Sequence, residues 1–167
     1  MTRALFLDRD GVVNVDKSYV YKIGDFEFID GIFDLCESAQ SHGFKIIIAT
    51  NQSGIARGYY TVEDFNRLTE YMIGKFKSSG IEITDVFYCP YLSGPDRKPN
   101  PGMFIKARDK YCIDMKKSVS VGDKQRDIQA ALNAGIIRNY LLSVAETPST
   151  AYATVSSLRD LCGVFDF

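Results

Sequence analysis

Four short polar clusters hold the residues that could do chemistry, and each follows a short apolar run. The first is Phe6-Leu7-Asp8-Arg9-Asp10-Gly11. Two carboxylates two residues apart at the end of an apolar strand are costly unless something neutralises them. A hard divalent cation does so, and magnesium favours a few carboxylate oxygens together with waters and a phosphate. The same string also suits a plain acidic turn, because Asp-x-Asp-Gly alone is common. The second cluster is Thr50-Asn51-Gln52-Ser53-Gly54-Ile55-Ala56-Arg57. Its hydroxyls and backbone N–H groups could receive an anion, or it is simply a polar loop of ordinary turn formers.

The third cluster is Asp96-Arg97-Lys98-Pro99-Asn100-Pro101. Lys98 can act as a point charge on phosphate and Arg97 can bind it bidentately; the alternative is a solvated basic turn. The fourth is Val121-Gly122-Asp123-Lys124-Gln125-Arg126-Asp127. Asp123 follows a buried run and Asp127 lies one helical turn later on the same face. Asp123 reads as a metal ligand supported by Asp127, or as a helix cap. Each signal is moderate alone. Four in this order, at successive strand ends, point to one site.

The elements that must position these clusters alternate along the chain. Ala4–Leu7, Phe44–Ala49, Asp85–Cys89, Ser118–Val121 and Asn139–Ser143 read as strands. Their continuous β-branched runs suit strands covered on both faces. Between them, helices are expected over Ile32–Ser41, Val62–Ser78, Pro101–Tyr111 and Asp123–Asn133. Thr61 with Asp64 approximates a capping box at the second of these. Strand–helix alternation implies an α/β fold with a parallel sheet of about five strands. In such sheets ligands bind beyond the carboxyl ends of the strands, where the clusters fall.

Length and composition bound the function. A chain of 167 residues is the size of one domain (1–167), and 46% hydrophobic with 25% charged residues is ordinary for a soluble globular protein. A formal charge of -1 provides no broad basic surface, which argues against nucleic acid. The first apolar run is only Ala4–Leu7, so neither a leader peptide nor a membrane span is expected. Cys36, Cys89, Cys112 and Cys162 are scattered without a C-x-x-C pair, which suits reduced thiols and a cytoplasmic setting. His42, the only histidine, precedes Gly43 and reads as a helix C-terminal residue rather than a catalyst.

Taken together, these strings make the chain resemble the haloacid dehalogenase superfamily across most of its length. D-x-D-G falls at Asp8–Gly11, the threonine of the second motif at Thr50, the lysine of the third at Lys98, and G-D-x-x-x-D at Gly122–Asp127. F-L-D-R-D-G-V-V-N-V-D, T-N-Q-S-G-I-A-R-G, R-K-P-N-P-G-M and V-G-D-K are similar, more closely, to the D-glycero-D-manno-heptose 1,7-bisphosphate 7-phosphatase group. The related histidinol-phosphate phosphatases share much of the pattern. The group usually carries a zinc loop before R-K-P, with a C-x-H pair and a later C-x-C pair. Here Tyr91 stands where the histidine would, and Pro90–Asp96 contains no cysteine. Four ligands make a closed zinc site and one remains, so no zinc is expected and Cys89 becomes a buried strand-end thiol.

The resemblance implies a Rossmann-like three-layer sandwich. It also implies a magnesium-dependent phosphatase in which Asp8 attacks phosphorus and forms an aspartyl-phosphate. Asp8, the main-chain carbonyl of Asp10 and Asp123 hold the ion, with Asp127 behind them. Thr50, Asn51, Arg97 and Lys98 stabilise the phosphoryl charge, and Asp10 serves as general acid and then base. Neither Asp10–Thr50 nor Thr50–Lys98 has room for an inserted cap, so a capless enzyme is expected. Specificity then falls to Asp16–Tyr19 (Asp16 and Tyr19 above all), to Ser53 and Arg57, and to Lys124. The expected partner is a small phosphorylated sugar, acted on by a monomer.

The rival outside enzymes is a receiver-like phosphoacceptor domain, which joins similar residues on a parallel sheet but needs no second carboxylate like Asp10. Within enzymes, the rival substrate is histidinol phosphate. A 3′-phosphate on nucleic acid is disfavoured by the neutral charge.

Overall fold

The N-terminal apolar run forms strand β1 (Arg3–Leu7) in the computed structural model, which describes residues 1–167. Helix α1 (Ile32–Ser41) and strand β2 (Phe44–Asn51) follow, then α2 (Val62–Ser78) and β3 (Ile83–Cys89). The second half adds α3 (Gly102–Tyr111), β4 (Val119–Gly122), α4 (Gln125–Asn133), β5 (Arg138–Leu142) and β6 (Ala153–Val155). The strands pair in parallel in the order β3-β2-β1-β4-β5-β6. That order reverses direction at β1, which opens a crevice between the ends of β1 and its neighbours.

β1 shows why the sheet is buried on both sides. Leu5 and Leu7 enter one core with Ile46, Ile48 and the inner faces of α1 and α2. Ala4 and Phe6, alternating with them, enter a second core with Ile47, Met103, Phe104, Ala130 and Ala131. The period-2 alternation therefore feeds two apolar layers, giving the expected three-layer α/β sandwich. On α2, Phe65, Leu68, Met72 and Phe76 are buried, each worth about 1.5–3 kcal/mol of transfer free energy. Thr61 Oγ1 accepts from the Asp64 N–H at 3.1 Å and Asp64 returns the bond at 3.0 Å. The capping box that the sequence suggested is thus complete.

Two expectations need correction. The sheet has six strands, not about five. β6 is a three-residue edge strand, largely exposed, so no apolar run marks it. Helix α4 begins at Gln125 rather than Asp123, because Lys124 before it remains extended (φ -131°, ψ 153°). No inserted domain interrupts the chain: residues 11–31 hold only a short 3-10 turn at Ile23–Asp25, and residues 52–61 hold no helix. No helix is long and apolar enough to cross a membrane. His42 ends α1, 2.8 Å from Asp166.

Candidate active site

Asp8 sits one residue beyond β1, and its N–H still pairs with the Val121 carbonyl at 3.1 Å. That bond ties the end of β1 to β4, so Asp8 and Asp123 emerge side by side. Carboxylate oxygens of Asp8, Asp123 and Asp127 all lie within 4.8 Å of one another. Gly11 makes the approach possible: its φ is +96°, and a Cβ there would fall 2.1 Å from Asp123 Oδ2.

The acidic cluster is balanced from below by Lys98, whose side chain is 2% exposed. Its ammonium donates to Asp8 Oδ1 at 3.0 Å and to Asp127 Oδ1 at 2.9 Å. Burial works against the Lys98 charge, but Asp127 and Asp8 outweigh it and raise the lysine above its ordinary value. Burial likewise works to raise Asp127, and the Lys98 charge overrides it, leaving that carboxyl below the usual range. Asp127 Oδ2 accepts from the N–H groups of Asp123 and Lys124, at 3.2 and 3.0 Å. With both oxygens engaged, Asp127 is the group that caps α4 and braces the loop.

Asp123 is placed differently. Its Oδ1 is buried and has no hydrogen-bond partner. Burial and the Asp127 charge push its carboxyl up to about 6. Burial, then Asp127, hold Asp8 well above the ordinary carboxylate value, against the pull of Lys98. The main-chain carbonyl of Asp10 accepts no protein hydrogen bond. Two raised carboxylates with an orphaned oxygen, beside a free carbonyl, fit a hard divalent cation. The Asp10 side chain stands outside the cluster. Its Oδ1 accepts from Arg9 and from Asn14, both at 3.0 Å, and its Oδ2 from Gln52 at 3.0 Å.

Above the carboxylates lies a cleft of about 320 Å³, large enough for a small ligand. It is lined by Asp8, Asp10, Asp16, Ser18, Tyr19, Asn51, Ser53, Arg57, Arg97, Lys124 and Asp127 from the sequence reading, joined by Gln52, Tyr60 and Arg126. Thr50, 1% exposed, lies beneath, its hydroxyl accepting from Gln52 at 2.9 Å. The Asn51 amide is committed to the Lys98 backbone, with bonds of 3.0 and 3.2 Å, so it fixes the segment carrying Lys98. Lys124 Nζ approaches Asp16 to 3.6 Å across the rim. Cys89 is fully buried at the end of β3 and Tyr91 is exposed.

A D-glycero-alpha-D-manno-heptose-1,7-bisphosphate 7-phosphatase of Campylobacter jejuni is 47% identical over 165 residues, covering 98% of this chain and 96% of that protein. The chain belongs to the haloacid dehalogenase-like phosphatases. A D-glycero-beta-D-manno-heptose-1,7-bisphosphate 7-phosphatase of Yersinia pestis is 42% identical over 175 residues, covering 95% of this chain and 92% of that one. The family model described as HAD-hydrolase-like matches residues 96–152. Among solved structures, the D,D-heptose 1,7-bisphosphate phosphatase of B. bronchiseptica, complexed with magnesium and phosphate, superimposes with a TM-score of 0.86 at 27% identity. That match covers 96% of each chain.

Within this phosphatase family fold, sequence reasoning assigned no role to Arg9, Asn14, Gln52, Tyr60 or Arg126. Gln52 stood in a quoted motif, and its position just past a strand end was the available signal. Arg9 is 1% exposed and donates to the Val20 carbonyl at 2.7 Å, which no local pattern announces.

Proposed function

We propose that this phosphatase removes the 7-phosphate of D-glycero-D-manno-heptose 1,7-bisphosphate through an aspartyl-phosphate on Asp8. The observation that carries the chemistry is the buried Lys98 ammonium 3.0 Å from Asp8, beside the orphaned Asp123 Oδ1. The substrate follows from the printed names of the relatives, which cover both anomers.

In this reading a carboxylate oxygen of Asp8 attacks phosphorus, and the bond from phosphorus to the sugar oxygen breaks. Asp10 gives its proton to that departing oxygen, then takes one from the water that attacks the phosphoryl group and frees Asp8. Lys98 and Thr50 hold charge on the phosphoryl oxygens, and Asn51 keeps Lys98 in register. Asp8, the Asp10 carbonyl and Asp123 would hold magnesium, with Asp127 behind. Bound there, the ion supplies charge that keeps Asp8 ionised and neutralises phosphoryl oxygens. Arg57, Arg97, Lys124 and Arg126 surround the mouth and face the remaining phosphate, with Asp16, Tyr19 and Ser53 against the sugar. The enzyme acts as a cytoplasmic monomer of one domain, without zinc, nucleic acid or membrane.

The test is phosphate release with magnesium from both heptose bisphosphate anomers and from histidinol phosphate, with Asp8→Asn as blank. Fast release from a heptose bisphosphate, lost in the variant, supports the reading. Faster release from histidinol phosphate keeps the chemistry and discards the sugar. Silence on all three favours the phosphoacceptor alternative.

A further inference from the structure

A polar string runs beneath Asp10, and two of its members, Gln52 and Tyr60, serve none of the steps above. Gln52 is 3% exposed, and its amide nitrogen donates both to Asp10 Oδ2 at 3.0 Å and to Thr50 Oγ1 at 2.9 Å. Its amide oxygen accepts from the Tyr60 hydroxyl. In its ionised form, reached once it has given up its proton, Asp10 only accepts, so the Gln52 nitrogen faces Asp10 and its oxygen faces Tyr60, which then donates. Tyr60 is itself fixed. Its ring stacks on Tyr21 with centroids 5.2 Å apart, and a Cβ at Gly54 would fall 2.2 Å from it.

The other partners of the Asp10 carboxylate, Arg9 and Asn14, belong to the same turn as Asp10. They move with it. Gln52 comes from the end of β2, beside Thr50, so among these donors it alone ties Asp10 to the element that holds the phosphate. One amide therefore sets the distance between the acid and the phosphoryl pocket. Proton transfer depends steeply on such placement.

We propose that Gln52, oriented by Tyr60, is a positioning residue that aims Asp10 at the leaving-group oxygen. The inference rests on the acid role given to Asp10 in the proposed function.

A damaged acid matters only when the leaving group needs a proton. The comparison is therefore kcat/KM, which covers the step expelling that group, for heptose bisphosphate and for 4-nitrophenyl phosphate, whose phenolate leaves unaided. Gln52→Leu is expected to lose about tenfold or more on the sugar phosphate and less than about threefold on the aryl phosphate. Tyr60→Phe, which keeps the stacked ring and guards against a folding failure, shows the same asymmetry in weaker form. Equal losses on both substrates, or none, in folded variants overturn the proposal. Asp10→Asn is measured alongside. If it shows the asymmetry and the Gln52 and Tyr60 variants do not, only the positioning role falls. If Asp10→Asn lacks it too, the acid assignment falls with it.

Discussion

The Lys98 ammonium lies 3.0 Å from the Asp8 carboxylate with almost no access to water. Removing one partner of a buried pair leaves charge uncompensated, at a cost of roughly 3–5 kcal/mol. Lys98→Met strands both Asp8 and Asp127. It is expected to lower the thermal unfolding midpoint and to cut kcat by about a hundredfold or more. Arginine is no conservative replacement, because its fork does not fit a point contact shared by two carboxylates. A variant with unchanged kcat would remove Lys98 from the chemistry.

Gly11→Ala puts a methyl group 2.1 Å from Asp123 Oδ2 at a φ of +96°. Asp123 must swing away, and the strained turn itself costs on the order of 1–2 kcal/mol. Magnesium titration of phosphate release should show a much weakened half-saturation, with the fold retained by circular dichroism. Wild-type magnesium dependence in this variant would show that Asp123 holds no ion.

Magnesium should stabilise the protein in a pH-dependent way. Asp123, pushed up to about 6 by burial and by Asp127, is protonated below that value, and a cation must displace the proton. The rise in unfolding temperature on adding magnesium is therefore largest well above pH 6 and shrinks as the pH falls through it. A rise independent of pH would place the cation elsewhere.

Away from the cleft, Asp85 accepts from Lys110 at 2.7 Å and from the Tyr111 hydroxyl at 2.6 Å. Burial works to raise its carboxyl, but these hydrogen bonds outweigh it and hold it below 3.8. A depressed folded value means stability that is present above the unfolded value and lost as pH falls through the folded one. Urea unfolding should show Asp85→Asn less stable than the parent at neutral pH, the gap closing below about pH 3.8. A constant gap would mean that shape, not charge, sets the difference.

The four clusters were legible because an apolar run that stops abruptly at paired polar residues leaves a strong local mark. Asp8, Thr50 and Asp123 each sit at such a boundary, whereas Lys98 comes nine residues after β3 ends at Cys89 and is marked instead by the Arg-Lys-Pro-Asn-Pro string. The choice between ligand and cap at Asp123 was not legible, because it turns on Asp127 already taking both backbone N–H groups. Gln52, Tyr60 and Arg9 gain their meaning from partners on other loops, and sequence spacing does not encode those contacts. Strand β6 escaped for a simpler reason: an exposed three-residue edge buries too little to need an apolar pattern.

The most direct test of the central claim is acid quenching of the enzyme during turnover of heptose bisphosphate with magnesium, followed by peptide mass spectrometry. A phosphoryl group on the peptide carrying Asp8, absent with Asp8→Asn together with phosphate release, is the predicted result. Sustained turnover in Asp8→Asn, or a phosphoryl group on another residue, would contradict it.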